Sequence, residues 1–331
     1  MQVPSPEESP EKTPYRQLHQ HGRLGDLLVI HLINTLLRWV TLNIYHFWAK
    51  TRIREYLWSH QSFEDDRFEY TGRGGELLVG FLKAALAMIG LLALAALIFT
   101  GAAPSVDPLL VGLGAAVYLA GNLLAAAAGY SARGYLLSRT RWRSIRIGQT
   151  GSAANFALRS VGLGLLTLIT LGLLWPIRRH YLFGYKINNT RFGSTPFAYG
   201  GDGRDLYAWF LLSYLLTIPT LGLIWFWYMA RDTAYVASRT RLEGLRFEIG
   251  YTGAQLLGLR LGNLLITILT FGLGYPWALL RNFRFLFAHL RLEGEINYER
   301  ILQSQEETPR SGEGLAEIFG MSGSFLGLGR V

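Results

Sequence analysis

The sequence predicts an all-α polytopic membrane protein, built from tandem helix-hairpin repeats of about fifty residues with short strands on the cytoplasmic side. Three observations predict it. Charge is scarce and unevenly spread, one motif recurs in fixed register, and basic residues collect at the ends of the apolar segments.

Of 331 residues, half are hydrophobic and 17% are charged, with a mean hydropathy of +0.21. A soluble domain of this length carries about 25% charged residues. Charge all but vanishes over 77–99 and 108–132. Runs of 20 or more apolar residues can cross a hydrocarbon core about 30 Å thick. The net charge of +9 sits at the ends of apolar segments, where cytoplasmic anchors belong. That placement favours anionic lipid headgroups over nucleic acid as partners. With no Cys in the chain, thiol chemistry, disulfides and Cys metal sites are excluded. No HExxH, GxSxG or paired intramembrane carboxylate occurs, so no catalytic residue, metal or cofactor is assigned. Oligomeric state is left open.

Residues 1–23 read as a disordered polar tail without a removable leader, and 301–331 as a flexible tail. Between them lies a repeated transmembrane domain, 24–300, with copies at about 24–75, 76–150, 151–200, 201–250 and 251–300. Thr170, Thr220 and Thr270 each open a Thr-Leu-Gly or Thr-Phe-Gly step, fifty residues apart. Tyr135, Tyr185, Tyr235 and Phe285 keep the same spacing. In the first copy, Thr41, Tyr56 and Phe68-x-Tyr70-x-Gly72 match Thr170, Tyr185 and Phe197-x-Tyr199-x-Gly201 without a gap. About 29 extra residues separate the first and second copies and hold a long apolar helix.

Each copy opens with an apolar run of about 17 residues that reads as a helix, broken at Thr-Leu-Gly. An amphipathic run follows, with Trp48, Arg52 and Tyr56, or Trp227, Arg231 and Tyr235, or Trp277, Arg281 and Phe285, in steps of four on one helix face. A short alternating stretch, such as 67–70 or 246–249, reads as a strand. An isolated strand leaves backbone groups unpaired, so strands of neighbouring copies are expected to pair. Gly72, Gly151, Gly201 and Gly253 mark the turn into the next helix.

Two topologies compete. Apolar runs of about 24 residues, such as 154–177, either cross singly or fold as hairpins at Thr-Leu-Gly. Charge favours hairpins: residues 133–146 carry five Arg and no acid, and 178–191 carry three Arg and one Lys. Single spans would place some of these belts outside, against the positive-inside bias. The loop at 100–107 suits the far side.

The segments 264–290, 41–60 and 67–84 together resemble the YjgN-like family of bacterial inner-membrane proteins, a domain of unknown function. The resemblance covers roughly residues 24–300 and rests on the Thr-Leu-Gly step, the Pro-Trp-Ala-x-x-Arg run, the Tyr column and the Phe-x-Tyr-x-Gly strand. Asn43 and Phe47 depart from it, and the second copy lacks the Thr-Leu-Gly step. It implies residence in the bacterial inner membrane, where the apolar segments lead to a multi-pass expectation, and supplies no reaction or substrate.

Two polar columns are the candidate sites. Arg52, Arg231 and Arg281, with Tyr181 at the equivalent third position and Tyr56, Tyr185 and Tyr235 beside them, suit an anion or headgroup site. Interfacial anchoring is the simpler role for the same residues. Arg231 and Arg281 are expected to point into the bundle. His60, Arg139, Asn189, Arg239 and His289 form a polar column just before the strands that suits helix capping. Gly72–Gly75 and Gly200–Gly203 lack phosphate-loop spacing and read as turns. These features together suit a transporter or channel for a small anionic or amphipathic solute, or else a non-transporting lipid-binding or scaffold protein.

Overall fold

The computed structural model describes residues 15–100, 108–294 and 301. The expectations for the loop at 101–107 and for the tails at 1–14 and 302–331 fall outside the described residues. Five helix pairs succeed one another: α1 (Leu24–Val40) and α2 (His46–Ser59), α3 (Gly74–Thr100) and α4 (Pro108–Ser138), α5 (Ala153–Ile169) and α6 (Trp175–Asn188), α7 (Tyr207–Leu215) and α8 (Ile224–Ser238), α9 (Gly253–Leu269) and α10 (Tyr275–His289). A 3-10 turn, Gly203–Leu206, leads into α7.

The step within four of these pairs is a hydrogen-bonded turn. The Thr170 hydroxyl donates to Leu166 O at 2.9 Å and accepts from Leu174 N at 3.3 Å. Gly172 N closes the turn on Thr167 O at 2.7 Å. The same hydroxyl pair recurs at Thr41, Thr220 and Thr270. Two successive residues take positive φ, Leu171 at 51° and Gly172 at 89°. The second lacks a Cβ and tolerates this; the first bears a strain of about 1 kcal/mol. The reward is a turn whose backbone groups are paired within it. The tips are apolar and bare: Leu42, Leu171, Leu221 and Phe271 are 89%, 79%, 91% and 96% exposed.

Each helix pair feeds a strand, and the strands form one sheet. They are β1 (Leu18–Gln20), β2 (Gln61–Phe63), β3 (Asp66–Tyr70), β4 (Thr140–Trp142), β5 (Ile145–Gln149), β6 (Thr190–Phe192), β7 (Thr195–Tyr199), β8 (Thr240–Leu242), β9 (Leu245–Ile249) and β10 (Leu290–Glu293). All ten lie in sequence order and pair antiparallel. Hairpins join β2–β3, β4–β5, β6–β7 and β8–β9, while β3–β4, β5–β6, β7–β8 and β9–β10 pair between successive helix pairs. Arg16 and Leu292 exchange two backbone bonds of 3.0 Å, which brings β1 against β10 and nearly closes a barrel. Arg284 Nη2 on α10 donates to Gly22 O at 2.7 Å across the same seam. Thus the segment around 16–20, read as tail in the sequence, supplies the closing strand.

This architecture corrects the expected fold class. The protein is not all-α: a ten-stranded antiparallel barrel-like sheet stands at one end of the helices. Nor do the described helices make it polytopic in the expected sense, since only Gly74–Ala96 and Pro108–Ser138 are long and apolar enough to cross a membrane. The physical reason is the Thr turn. It divides each apolar run into short helices; α5 and α6, with 17 and 14 residues, are about 25 and 21 Å long. Only α3 and α4 escape this division.

The barrel interior is apolar because side chains alternate along each strand. Phe63, Trp142, Phe192, Leu242 and Leu292 occupy one register position and are all buried. Leu18, Phe68, Ile147, Phe197 and Phe247 pack against them. Rings of Phe63, Trp142 and Phe192 approach at 5.4 and 5.8 Å in tilted contacts, within the range in which aromatic pairs attract.

Candidate functional site

The barrel and the helix ends beneath it line a partly open cavity of about 300 Å³. Its wall is formed by the two apolar layers just described, and Leu137, Ile187, Ala237 and Phe287 from the helix ends lie below them. Five polar side chains enter it: Gln61, Arg133, Thr190, Thr240 and Asn282. The two threonine hydroxyls are satisfied by carbonyls four residues back, Lys186 O and Val236 O, each at 2.7 Å. Asn282 Oδ1 accepts from Asn263 at 2.6 Å. Arg133 donates through Nη1 to Gln149 Oε1 at 2.7 Å and to Thr190 Oγ1 at 3.0 Å.

The first candidate column lies elsewhere. Arg52 and Arg231 are exposed, and the Arg231 guanidinium sits 3.6 Å from the centre of the Trp209 ring. Arg281 is half-buried beside Gly262, and Tyr181 is exposed and accepts from Arg159 at 2.8 Å. None of these four lines the chamber. The tyrosines tie each second helix to the start of its first. Tyr56 Oη accepts from Arg23 N at 2.7 Å, Tyr185 Oη donates to Ser152 O at 3.0 Å, and Tyr235 Oη accepts from Asp202 N at 2.9 Å. Tyr135 does the same work through Glu76 Oε2 at 2.7 Å. Helix starts leave backbone groups unpaired, and these hydroxyls meet some of them.

The second column sits at the joint between helix and sheet. The carbonyls of His60, Arg139, Asn189, Arg239 and His289 accept from His21, Thr71, Thr150, Gly200 and Gly250 N at 2.8, 2.8, 2.8, 3.1 and 3.2 Å. These five bonds continue the β1–β2, β3–β4, β5–β6, β7–β8 and β9–β10 pairings onto the helix ends. The side chains of His60, Asn189 and His289 meet Tyr56, Tyr185 and Phe285 carbonyls at 2.7, 2.8 and 2.8 Å. Arg139 and Arg239 instead pair with Glu76 at 2.9 Å and Asp205 at 3.7 Å.

A further polar cluster was not singled out in the sequence. Asp232 on α8, 2% exposed, receives Arg179 Nε at 2.8 Å and lies 3.1 Å from His180 Nε2. His180 Nδ1 in turn contacts Tyr199 Oη. Burial raises the Tyr199 phenol above its ordinary range, and Tyr235 and Asp232 add to that, so the hydroxyl keeps its proton. The chain of groups joins α6, α8 and β7. No member lines the chamber, so its chemistry is that of a buried cross-link. Its sequence signal was a lone acid, Asp232, amid an apolar and basic helix. Among the described residues, no group of three or more His, Cys, Asp or Glu has metal-binding geometry.

The family model described as bacterial protein of unknown function (DUF898) matches residues 16–223 and 211–318. The inner membrane protein YjgN of Salmonella typhimurium (strain LT2) is 36% identical over 61 residues. The aligned segment spans 18% of this chain and 15% of that relative. No solved structure matches the chain. Two family matches cover nearly all of the ring of helix pairs and strands; the chain belongs to the YjgN-like, DUF898 family of bacterial proteins of unknown function.

Proposed function

We propose that the protein is a lipid-binding protein of the bacterial inner membrane, in which short hairpins enter the bilayer from one face and the barrel holds the apolar part of an amphipathic molecule. The observation that carries the reading is the chamber of about 300 Å³, lined by aromatic and aliphatic side chains, in a chain whose hairpin tips are bare and apolar. Small-molecule sites start at about 300 Å³ and are mostly apolar with a few placed polar groups. Contiguous exposed apolar patches mark membrane or partner contact, and the tips expose Leu42, Leu171, Leu221 and Phe271. The relative named an inner membrane protein supports that location, and α3 and α4 supply two helices able to cross.

A transport path lined by the Arg column finds less support. It needs arginines facing a central space, and Arg231 stacks outward on Trp209. The lipid-binding reading is tested with protein exchanged into amphipol and offered N-phenyl-1-naphthylamine, which fluoresces in apolar sites. The intact chain should take up about one probe molecule, and Ala237→Phe, which fills the chamber, should reduce uptake strongly at unchanged helicity. Absence of uptake by the intact chain, or equal uptake by the filled variant, would refute it.

A further inference from the structure

The chamber is not purely apolar, and its unpartnered polar atoms are of one kind. Arg133 is 9% exposed and lines the cavity, and its Nε has no hydrogen-bond partner. Its partners are the neutral Gln149 and Thr190, and among the described residues it pairs with no carboxylate. Gln61, 6% exposed, also lines the cavity, and its Nε2 is likewise without a partner. Both orphaned atoms are N–H donors. A buried cation without a counter-ion is costly, and buried donors are almost always satisfied.

The equivalent position in the first copy shows the contrast. Arg54 stands 79 positions before Arg133, the interval that separates Tyr56 from Tyr135. Arg54 is bonded to Tyr70 Oη at 3.2 Å and does not line the cavity. In the second copy, Gln149 stands where the first has Tyr70. The cation is thus presented to the chamber in one copy and absorbed by the wall in the other.

We infer that the chamber is a site for a single-chain amphipathic anion, with a carboxylate or phosphate monoester against Arg133 at the helix-proximal base and the alkyl chain among the aromatic layers toward Trp142. This deepens the lipid-binding reading and rests on it. Size sets the chain. A dry cavity of about 150 Å³ holds one benzene, so 300 Å³ takes about a dozen carbons on the same scale. A two-chain phospholipid is too large. The order of the groups sets the orientation. Arg133 lies in α4, two turns before the sheet, whereas Trp142 ends β4 at the hairpin. The guanidinium fork suits a planar carboxylate or phosphate.

The test uses the full chain in amphipol with 12-bromododecanoate, whose bromine quenches nearby tryptophan. Quenching should saturate, should be lost in Trp142→Phe, and should be weaker with 2-bromododecanoate, which carries the bromine at the head. Dodecanoate should compete about 10- to 100-fold better than dodecanol, the range expected for a charge-assisted hydrogen bond. Arg133→Gln should abolish that preference while dodecanol binding persists, and Arg133→Lys should keep part of it. Affinity should rise about fourfold per methylene from octanoate to dodecanoate. Gln61→Leu, a second variant outside α4, should lower the preference for dodecanoate by a smaller factor. Equal binding of dodecanoate and dodecanol by the intact chain would overturn the anion inference and leave the apolar chamber standing. Quenching displaced by inorganic phosphate alone would mark a free-anion site and also overturn it. Failure of every alkyl probe to bind would sink both readings.

Discussion

Gly253 and Gly258 lie in the same helix and should respond to alanine with opposite signs. Gly253 opens α9, and a Cβ built there would lie 2.6 Å from Trp227 Cα and from the indole ring. The near atom is backbone of α8, so the clash can be relieved only by moving one helix off the other. Gly203 faces Pro176 O at 2.4 Å and Gly74 faces Trp48 Cα at 2.9 Å in the same way. These glycines therefore set the separation between successive helix pairs. Overpacking of this kind costs about 1–3 kcal/mol. A Cβ at Gly258 meets nothing within 4 Å, and glycine inside a helix is worth about 1 kcal/mol less than alanine. Gly258→Ala should therefore stabilise by about 0.5–1 kcal/mol. Unfolding in mixed micelles, followed by tryptophan fluorescence and circular dichroism, measures both. The two variants should differ by about 1.5–4 kcal/mol, from those two terms combined. Equal stability of the pair would refute the claim that Gly253 holds the helices in close contact.

Asp232→Ala should destabilise the fold by about 3–5 kcal/mol, because it strands Arg179 and His180 in a buried site; a change under about 1 kcal/mol in the same assay would contradict the cross-link. Cysteines placed one at a time at 62, 145, 193, 243 and 293, which stand on the strands or in the hairpin turns of the one sheet, should react alike with an impermeant thiol reagent, and all from the cytoplasmic side. A mixed labelling pattern would contradict a single barrel. Thr270→Val should cost about 1 kcal/mol for the lost bond to Ile266 O and for the unpaired Gly274 N. Thr270→Ser, which keeps the hydroxyl, should cost less, and equal losses would show that the hydroxyl is not what holds the turn.

The parts of the fold that were legible in the sequence are those with local chemistry. The Thr-Leu-Gly step announced its turn because positive φ and a capping hydroxyl select those residue types at that place. The strands at 67–70 and 246–249 alternated over enough residues to be seen. Their partners, Gln61–Phe63 and Leu290–Glu293, were too short for a period to register. The barrel follows from pairings with no sequence-local trace, above all the bond pair between Arg16 and Leu292 that spans almost the whole described chain. The site was harder still. Arg52, Arg231 and Arg281 stood out because they repeat; the first two are exposed, the third is half-buried, and none of them lines the chamber. Arg133 did not repeat beyond Arg54, and what distinguishes it, a cavity and a missing counter-ion, exists only once the ring has formed.

Depth of insertion is the most direct test of the account as a whole, in which short hairpins enter hydrocarbon from one face while the barrel remains outside. Nitroxides attached at Leu171, Leu221 and Phe271, which stand at the tips, should in proteoliposomes collide readily with oxygen and scarcely with a water-soluble nickel chelate. Nitroxides at Ser144, Ser194 and Gly244, in the turns of the sheet, should show the reverse. Tips open to the nickel chelate, with accessibility like that of the sheet turns, would contradict the account.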